Sequence, residues 1–364
     1  MTHSPALLKA RSSRFPQFLA ATEGGTISIY GRHAAKRWVK LGATVEANPD
    51  TYQPTTIQLA ETVTGWVVGD DIIITSTSYN GNQWERASIS DVVQTSAGTQ
   101  LKVFGTAGTF KLGLQYRHEA RKVTFGSTTV DMSAEVAVVS ASSVTVSSVD
   151  ASTQFPMKDP RTVFGYERYG AQVVVAGKTS TAHLSGLTVS YCGQAGLERP
   201  CVRFLDVVNE DPQNPRAFLR GSSVLYAMDA GLSVEASAVG IQVQDNVLLG
   251  SFDQSTLVVR DGARRAVVQR NLALGTQKVV AGKSGFDIDL PATFDLQFPG
   301  QHVVTDNVAA GSDRAGFWIA GERAATCASG RRSLRVPRQA QLRMAWVAWV
   351  VNSAKSVLSL RSSP

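Results

Sequence analysis

The side chains best suited to chemistry in this chain are carboxylates and guanidinium groups on short β-type segments between residues 203 and 264. Arg203, Asp206, Glu210, Asp211, Arg220 and Asp229 form the densest set, and Asp253, Arg260, Asp261 and Arg264 extend it. Two carboxylates can serve as acid and base on a glycosidic bond, while an arginine neutralises a sugar acid. Asp206, Glu210, Asp229 and Arg203 are the candidates for such catalysis. Arg220 and Arg260, with Tyr166, Tyr169 and Tyr191 as stacking surfaces, are candidates for binding a glycan without cleaving it. Outward strand positions are polar in any case, which accounts for the same residues structurally.

Other chemistries find little support. The histidines are His3, His33, His118, His183 and His302, and no two lie within four residues of each other, so no paired-histidine metal site is expected. No phosphate-binding loop or dinucleotide fingerprint is present, and no cofactor is expected. Cys192 and Cys201 bracket a short loop; they can close a disulfide or remain two buried thiols. Cys327 stands apart, and no Asn-x-Ser/Thr acceptor occurs.

The charge balance points the same way. The chain has 364 residues, 36 Lys plus Arg and 29 Asp plus Glu, a formal net charge of +7. Three of the bases precede residue 23 and seven follow residue 323, where there are no acids. Residues 23–323 therefore keep 26 bases against 29 acids and are mildly acidic. The basicity belongs to the ends, so no nucleic-acid partner is expected. No apolar run approaches the length of a spanning helix.

These residues must be positioned by strands. Asp71–Thr75, Leu101–Phe104, Glu135–Val139 and Val144–Val146 are β-branched runs bounded by turn residues, and helical periodicity is hard to find between residues 23 and 323. An internal repeat then selects the architecture. Val243–Ser251, Val268–Thr276 and Val304–Ser312 align without gaps as Val, polar, charged, Asn, aliphatic, two small or aliphatic residues, Gly, Ser or Thr. Weaker echoes stand at Leu184–Val189 and Leu219–Leu225. Such a period of short strands and turns predicts a parallel β-helix. Asn246, Asn271 and Asn307 are expected to stack at one corner in a left-handed backbone conformation, with the following Gly opening the next bend. The longer step before the third copy, Lys278 to Gly300, is expected to be a loop inserted in a rung; it carries Phe286, Asp287, Asp289, Phe294, Asp295 and Phe298.

A resemblance follows from the N-terminal half. Gly24–Gly31, Trp38–Leu41, Trp66–Thr77, Glu85–Ile89, Leu114–His118 and Met132–Val136 occur in an order and spacing that resembles the later part of a G8 domain. That β-rich module is found in fibrocystin, fibrocystin-L and cell-surface or secreted hyaluronan-cleaving proteins. Asn307–Trp318 resembles the end of the β-helix that follows G8 in that family. The resemblance implies an all-β fold: a partial G8-like β module followed by a right-handed parallel β-helix. Hyaluronan-cleaving members have closely spaced histidines after a Pro in the early rungs. Here Pro200 is present and the histidines are not, which favours the fibrocystin-like branch.

The expected organisation is an unstructured segment over 1–22, an N-terminally incomplete G8-like domain over 23–150, the β-helix over 151–323 and a disordered basic tail over 324–364. Trp66 is expected in a buried strand entered through a Gly69–Asp70 turn, Glu85 to pair with Arg86, and Trp318 to close the last rung. The functional expectation is a non-catalytic extracellular or cell-surface recognition module with a glycan or protein ligand, part of a larger protein with its own membrane anchor. The alternative is a hyaluronidase-like hydrolase using carboxylates on the β-helix face.

Overall fold

A computed structural model describes residues 18–32, 34–49, 52–106, 112–140, 142–147, 170–194, 197–252, 254–260, 262–277, 291–297, 300–320 and 355–360. Strands β1 (Phe18–Thr22) and β2 (Thr26–Tyr30) come first. They are followed by β3 (Trp38–Lys40), β4 (Thr55–Gln58), β5 (Asp71–Ile74), β6 (Glu85–Thr95), β7 (Gly98–Gly105), β8 (Lys122–Phe125), β9 (Thr128–Asp131) and β10 (Glu135–Val138). The solenoid strands follow: β11 (Val144–Ser147), β12 (Gln172–Ala176), β13 (Thr181–Ser185), β14 (Leu187–Cys192), β15 (Val202–Leu205), β16 (Ala217–Arg220), β17 (Ser223–Ala227), β18 (Leu232–Glu235) and β19 (Gln242–Gln244). Then come β20 (Val247–Phe252), β21 (Leu257–Val259), β22 (Val267–Gln269), β23 (Leu272–Gln277), β24 (Ala292–Gln297), β25 (Val303–Ala310), β26 (Ala315–Ala320) and β27 (Lys355–Leu360).

The protein is an all-β parallel β-helix. Face A runs β1-β12-β15-β18-β21-β24-β26, face B runs β11-β14-β17-β20-β23, and face C runs β2-β13-β16-β19-β22; the long β25 completes both B and C. The sequence repeat is the rung register. Leu184, Leu219, Val243, Val268 and Val304 are partners in successive strands of face C. Their side chains point inward with Val173, Phe204, Val234, Val259, Phe294 and Phe317 to form one continuous core. Alternate positions point outward, as the period of two requires.

The asparagine column is present, and every member is fully buried. The Asn246 Nδ2 donates to Asn271 Oδ1 at 3.0 Å, and Asn271 Nδ2 donates to Asn307 Oδ1 at 2.9 Å. Each amide also donates to a carbonyl of the preceding segment, Leu219, Val243 and Val268 respectively. The left-handed residue is not the Asn but the one before it: Asp245, Arg270 and Asp306 have φ of 56°, 52° and 57°. The corner turns on that residue, which leaves the Asn side chain directed inward between rungs. Gly250 and Gly275 lie within β20 and β23 rather than at a bend, and Gly311 directly follows β25. Gly250, Gly275 and Gly311 take φ of 70°, 72° and 62°, and Tyr191 and Tyr226 take 48° and 57° at the equivalent position of earlier rungs.

Several boundaries differ from expectation. Phe18–Thr22 is not unstructured: β1 pairs in parallel with β12. Both β2 and β11 pair with solenoid strands as well. The coil therefore begins at the first described residues and is interrupted by the antiparallel sheet β3-β10-β5-β6-β7-β4, with the hairpin β8-β9 beside it. In the expected tail, Lys355–Leu360 forms β27, antiparallel to β25; residues 324–354 and 361–364 lie outside the described residues. Within the expected rung insertion, Ala292–Gln297 is a strand of face A that buries Phe294, whereas Phe286, Asp287, Asp289 and Phe298 lie outside the described residues. Trp318 does not close the core. It points outward, 48% exposed, and its neighbour Phe317 is the one that stacks on Phe294 with centroids 4.7 Å apart.

The inserted sheet has its own core around Trp66, Ile72, Ile74, Leu101 and Val136. Trp66 is buried and donates its indole N–H to the Lys36 carbonyl at 2.9 Å; it precedes the turn rather than lying in the strand. Gly69 takes φ of 90°, and Asp70 accepts from Val67 N at 3.0 Å while pairing with Arg32. Glu85 and Arg86 do not pair, because neighbours on a strand face opposite ways. Glu85 turns inward and accepts from Gln115 N, Tyr116 N and the His118 ring; Arg86 turns outward to Asp71.

The other side of this sheet covers face B. Ile73, Ala137 and Val139 pack against outward Leu225, Val247, Leu249, Leu272, Leu274, Val308 and Ala310. A strand covered on both sides is apolar on both, which explains the runs Val247-Leu-Leu and Leu272-Ala-Leu. The Trp38 indole donates to the Arg270 carbonyl at 2.9 Å, and Gly81 meets Gly311 so closely that a Cβ there would lie 2.6 Å from the Gly311 Cα. Arg37 is enclosed at this junction beside Ser223, and burial lowers its pKa to about 10.

Removing one rung of the amide column orphans buried groups above and below it. The Asn271→Ala variant is expected to lose about 3 kcal/mol of stability, measured by the chemical-denaturation midpoint. A loss within error of zero would show that the column is not what fixes the register.

Candidate functional site on face A

Face A carries the charged groups. Strands β15, β18, β21 and β24 bury Phe204, Val234, Val259 and Leu296, and therefore project the residues between them outward. Arg203, Ser233, Val258, Asp295 and Trp318 are register partners along one outward row. Glu235 and Arg260 each follow an inward valine, which places them on the same outer side at the strand ends. Arg203 bonds Glu235 Oε2 through Nε at 3.0 Å and Nη2 at 2.6 Å. Arg260 Nε lies 3.4 Å from Glu235 Oε1. One buried carboxylate thus orients two guanidinium groups from the turns on either side of it.

Two further carboxyls feel Arg260. Burial raises the pKa of Asp295, opposed by Gln297 and by the Arg260 charge. Burial also pushes Asp229 up to about 6, against the pull of the Ala230 and Arg199 backbone donors and of Arg260. Asp229 sits at the corner between faces B and A and accepts from Arg199 N at 2.9 Å and Ala230 N at 2.6 Å. The loop that supplies Arg199 is closed by a disulfide between Cys192 and Cys201, both fully buried in the core. Gly193 lies against Asp229, so a Cβ there would come within 3.3 Å of its backbone nitrogen.

The sequence-derived set is therefore split among several places. Arg203 and Arg260 meet on face A. Asp206 is a left-handed corner residue, φ 58°, that accepts from Ser237 N at 3.0 Å, so it is committed to the turn. Glu210 and Asp211 are exposed on the loop before β16, where Asp211 caps Gln213 N. Arg220 lies on face C, over the Phe218 ring at 4.5 Å. Arg264 is exposed at a corner. Tyr191 stacks on Tyr226 with centroids 5.1 Å apart, at the junction with the inserted sheet. Tyr166, Tyr169, Asp253 and Asp261 lie outside the described residues. Glu235, the organising carboxylate, was not among the expected residues. Extending the repeat alignment one position past Val234, Val259 and Leu296 pairs it with Arg260 and Gln297. Among the described residues, no group of three or more His, Cys, Asp or Glu is placed to hold a metal ion.

Parallel rungs with charged groups on one outward row, and a second sheet packed over another face, define a parallel β-helix with an inserted antiparallel sheet. The family described as CEMIP beta-helix matches residues 168–360, more than half of the chain, and the chain belongs to it. That match extends through β27. The mouse cell migration-inducing and hyaluronan-binding protein is 23% identical over 305 residues, covering 77% of this chain and 21% of that protein. The human cell surface hyaluronidase CEMIP2 is 23% identical over 287 residues, covering 72% and 20%, and mouse fibrocystin-L is 23% identical over 329 residues, covering 85% and 7%. The chain spans about a fifth of the first two relatives and far less of the third.

Asp229 provides a stability signature. Its folded pKa lies above the ordinary carboxylate value, so the folded state holds the proton more tightly. The associated stability is fully present below about pH 4 and is lost as pH rises through about 6. The Asp229→Asn variant loses one backbone acceptor at every pH but escapes this penalty. Its melting temperature relative to the parent is expected to rise steadily between pH 4 and pH 7. A difference independent of pH would contradict the buried, elevated carboxyl. Separately, replacing both Cys192 and Cys201 with Ala is expected to cost roughly 2–3 kcal/mol, and two free thiols in non-reducing mass spectra of protein made in an oxidising compartment would exclude the bond.

Proposed function

We propose that this chain is a recognition module that binds an acidic polysaccharide on face A without cleaving it, as part of a larger extracellular or cell-surface protein. The observation that carries the reading is the Arg203–Glu235–Arg260 cluster. Two guanidinium groups converge on the single carboxylate of Glu235, and burial raises the pKa of Asp295 beside them, which favours its neutral form. Two of the relatives are named for hyaluronan binding or hyaluronan cleavage, which supports an acidic glycan as ligand. The cell-surface address rests on one relative's name and on the buried disulfide, which suits an oxidising compartment. The inserted sheet is assigned to the G8 type on the sequence phrases Gly24–Gly31 and Trp66–Thr77, although Gly24–Gly31 supplies a rung of the coil here.

Recognition is favoured over hydrolysis because the carboxylates near the cluster are engaged internally. Glu235 is consumed by two arginines, Asp206 by a turn, and Asp229 by two backbone N–H groups. One observation favours the hydrolase reading: an Asp229 pKa of about 6 is suited to a general acid. The two readings part experimentally. With a hyaluronan hexasaccharide as probe, Arg203→Ala and Arg260→Ala are each expected to weaken binding roughly tenfold, about 1.4 kcal/mol, and the effect should shrink at high salt. Chain length of the probe should stay constant. Turnover abolished by Asp229→Asn would establish the hydrolase, and binding insensitive to both arginines would remove face A.

A further inference from the structure

Face C has features that the proposed acidic-glycan site does not use. Its outward positions form two columns. One contains Tyr30, Ser185, Arg220, Gln244, Gln269 and Thr305; the other contains Ser28, His183, Phe218, Gln242, Val267 and Val303. The inserted sheet packs on face B; on face C Tyr30 is 65% exposed and Val303 41%, while Phe218, Gln242 and Thr305 are buried. At the N-terminal end the side chains make an aromatic array. His183 stacks on Phe218 with centroids 5.1 Å apart and 10° between planes, and Tyr30 inclines towards His183 at 6.4 Å. Toward the C-terminal end the surface becomes amide. The Gln244 Nε2 donates to Gln269 Oε1 at 3.2 Å, and both residues remain partly exposed.

We infer that face C is a binding surface for an extended, uncharged glycan chain. Rungs spaced by about 4.8 Å set the partly exposed column from Tyr30 to Gln269 along a track of about 19 Å, a length that fits an oligosaccharide rather than a single sugar. The open Tyr30 ring offers an apolar plate for the face of a sugar. Downstream amides offer both donors and acceptors to hydroxyl and acetamido groups, which is the complementarity a neutral sugar requires. The charge distribution excludes an anion as the natural occupant. Arg220 is the single Lys or Arg in the two columns, and its guanidinium is spent on the Phe218 ring and on Gln242. This surface is separate from the arginine pair on face A and does not depend on the reading given to that pair.

The test uses the full chain, a β-linked N-acetylglucosamine hexamer as the neutral probe and a hyaluronan hexasaccharide as the charged one, read by calorimetry. The neutral hexamer is expected to bind with an affinity that is unchanged between low and high salt. Tyr30→Ala should weaken it roughly tenfold, Tyr30→Phe should retain it, and Gln244→Ala with Gln269→Ala should weaken it several-fold. These side chains are at least partly exposed, and an unchanged melting temperature verifies that each variant is folded. The Arg203→Ala and Arg260→Ala variants should leave neutral-hexamer binding intact, which separates this site from face A. No binding of the neutral hexamer to the folded parent, or binding unaffected by Tyr30→Ala, would overturn the inference.

Discussion

Rung registry is the constraint on which the rest depends, and it is held by one buried column of side-chain amides. Asn246, Asn271 and Asn307 each donate to the next rung or to a carbonyl of the preceding segment and accept from backbone N–H groups on the other side. In a buried setting these bonds have no water to replace them, so an alternative register would leave several polar groups unpaired. A slip of one residue would also turn the core row Leu219, Val243, Val268 and Val304 outward. The same bonds place Asp245, Arg270 and Asp306 at the left-handed corner, where Asp245 and Arg270 form a bidentate pair one rung apart.

Once the register is set, the outward columns follow and each face acquires its own role. Face B is apolar outside as well as inside because the inserted sheet lies on it. Face A collects the arginine–glutamate cluster because three successive strands carry an outward charged residue at or next to their ends. Face C changes from aromatic to amide groups along its length. The coil is interrupted within its first rung: β1 and β2 precede the inserted sheet and β11 follows it, so the sheet is tethered at both ends to the coil it covers. Buried Arg37 and the Trp38 indole bond across that junction.

Much of this was legible in the sequence, for identifiable reasons. The three gapless copies between Val243 and Ser312 express the register directly, since Val243, Val268 and Val304, and likewise Val247, Leu272 and Val308, are partners in neighbouring strands. The buried amide column was legible because an Asn that recurs within an aliphatic frame must find its hydrogen bonds inside the coil. Parallel pairing with distant strands was not legible. Phe18–Thr22 and Thr26–Tyr30 carry no repeat signature, and only their partners β12 and β13 reveal them as rungs. The choice between Phe317 and Trp318 as the closing aromatic depends on strand phase, which one shifted residue reverses. Arg203, Asp206 and Arg220 are close in sequence but lie on a face, a corner and another face, because the coil turns between them. Glu235 is not legible because a single carboxylate in Leu-Ser-Val-Glu looks like ordinary strand polarity until its two arginines are placed beside it.

The proposed contact with an acidic glycan is the charged row on face A. Hydrogen–deuterium exchange with and without a hyaluronan hexasaccharide reads it most directly, because it reports every segment at once. Added protection is expected to concentrate in peptides spanning 200–206, 232–237 and 257–262, with the inserted sheet unchanged. Protection confined to the inserted sheet, or none at a saturating concentration, would contradict it.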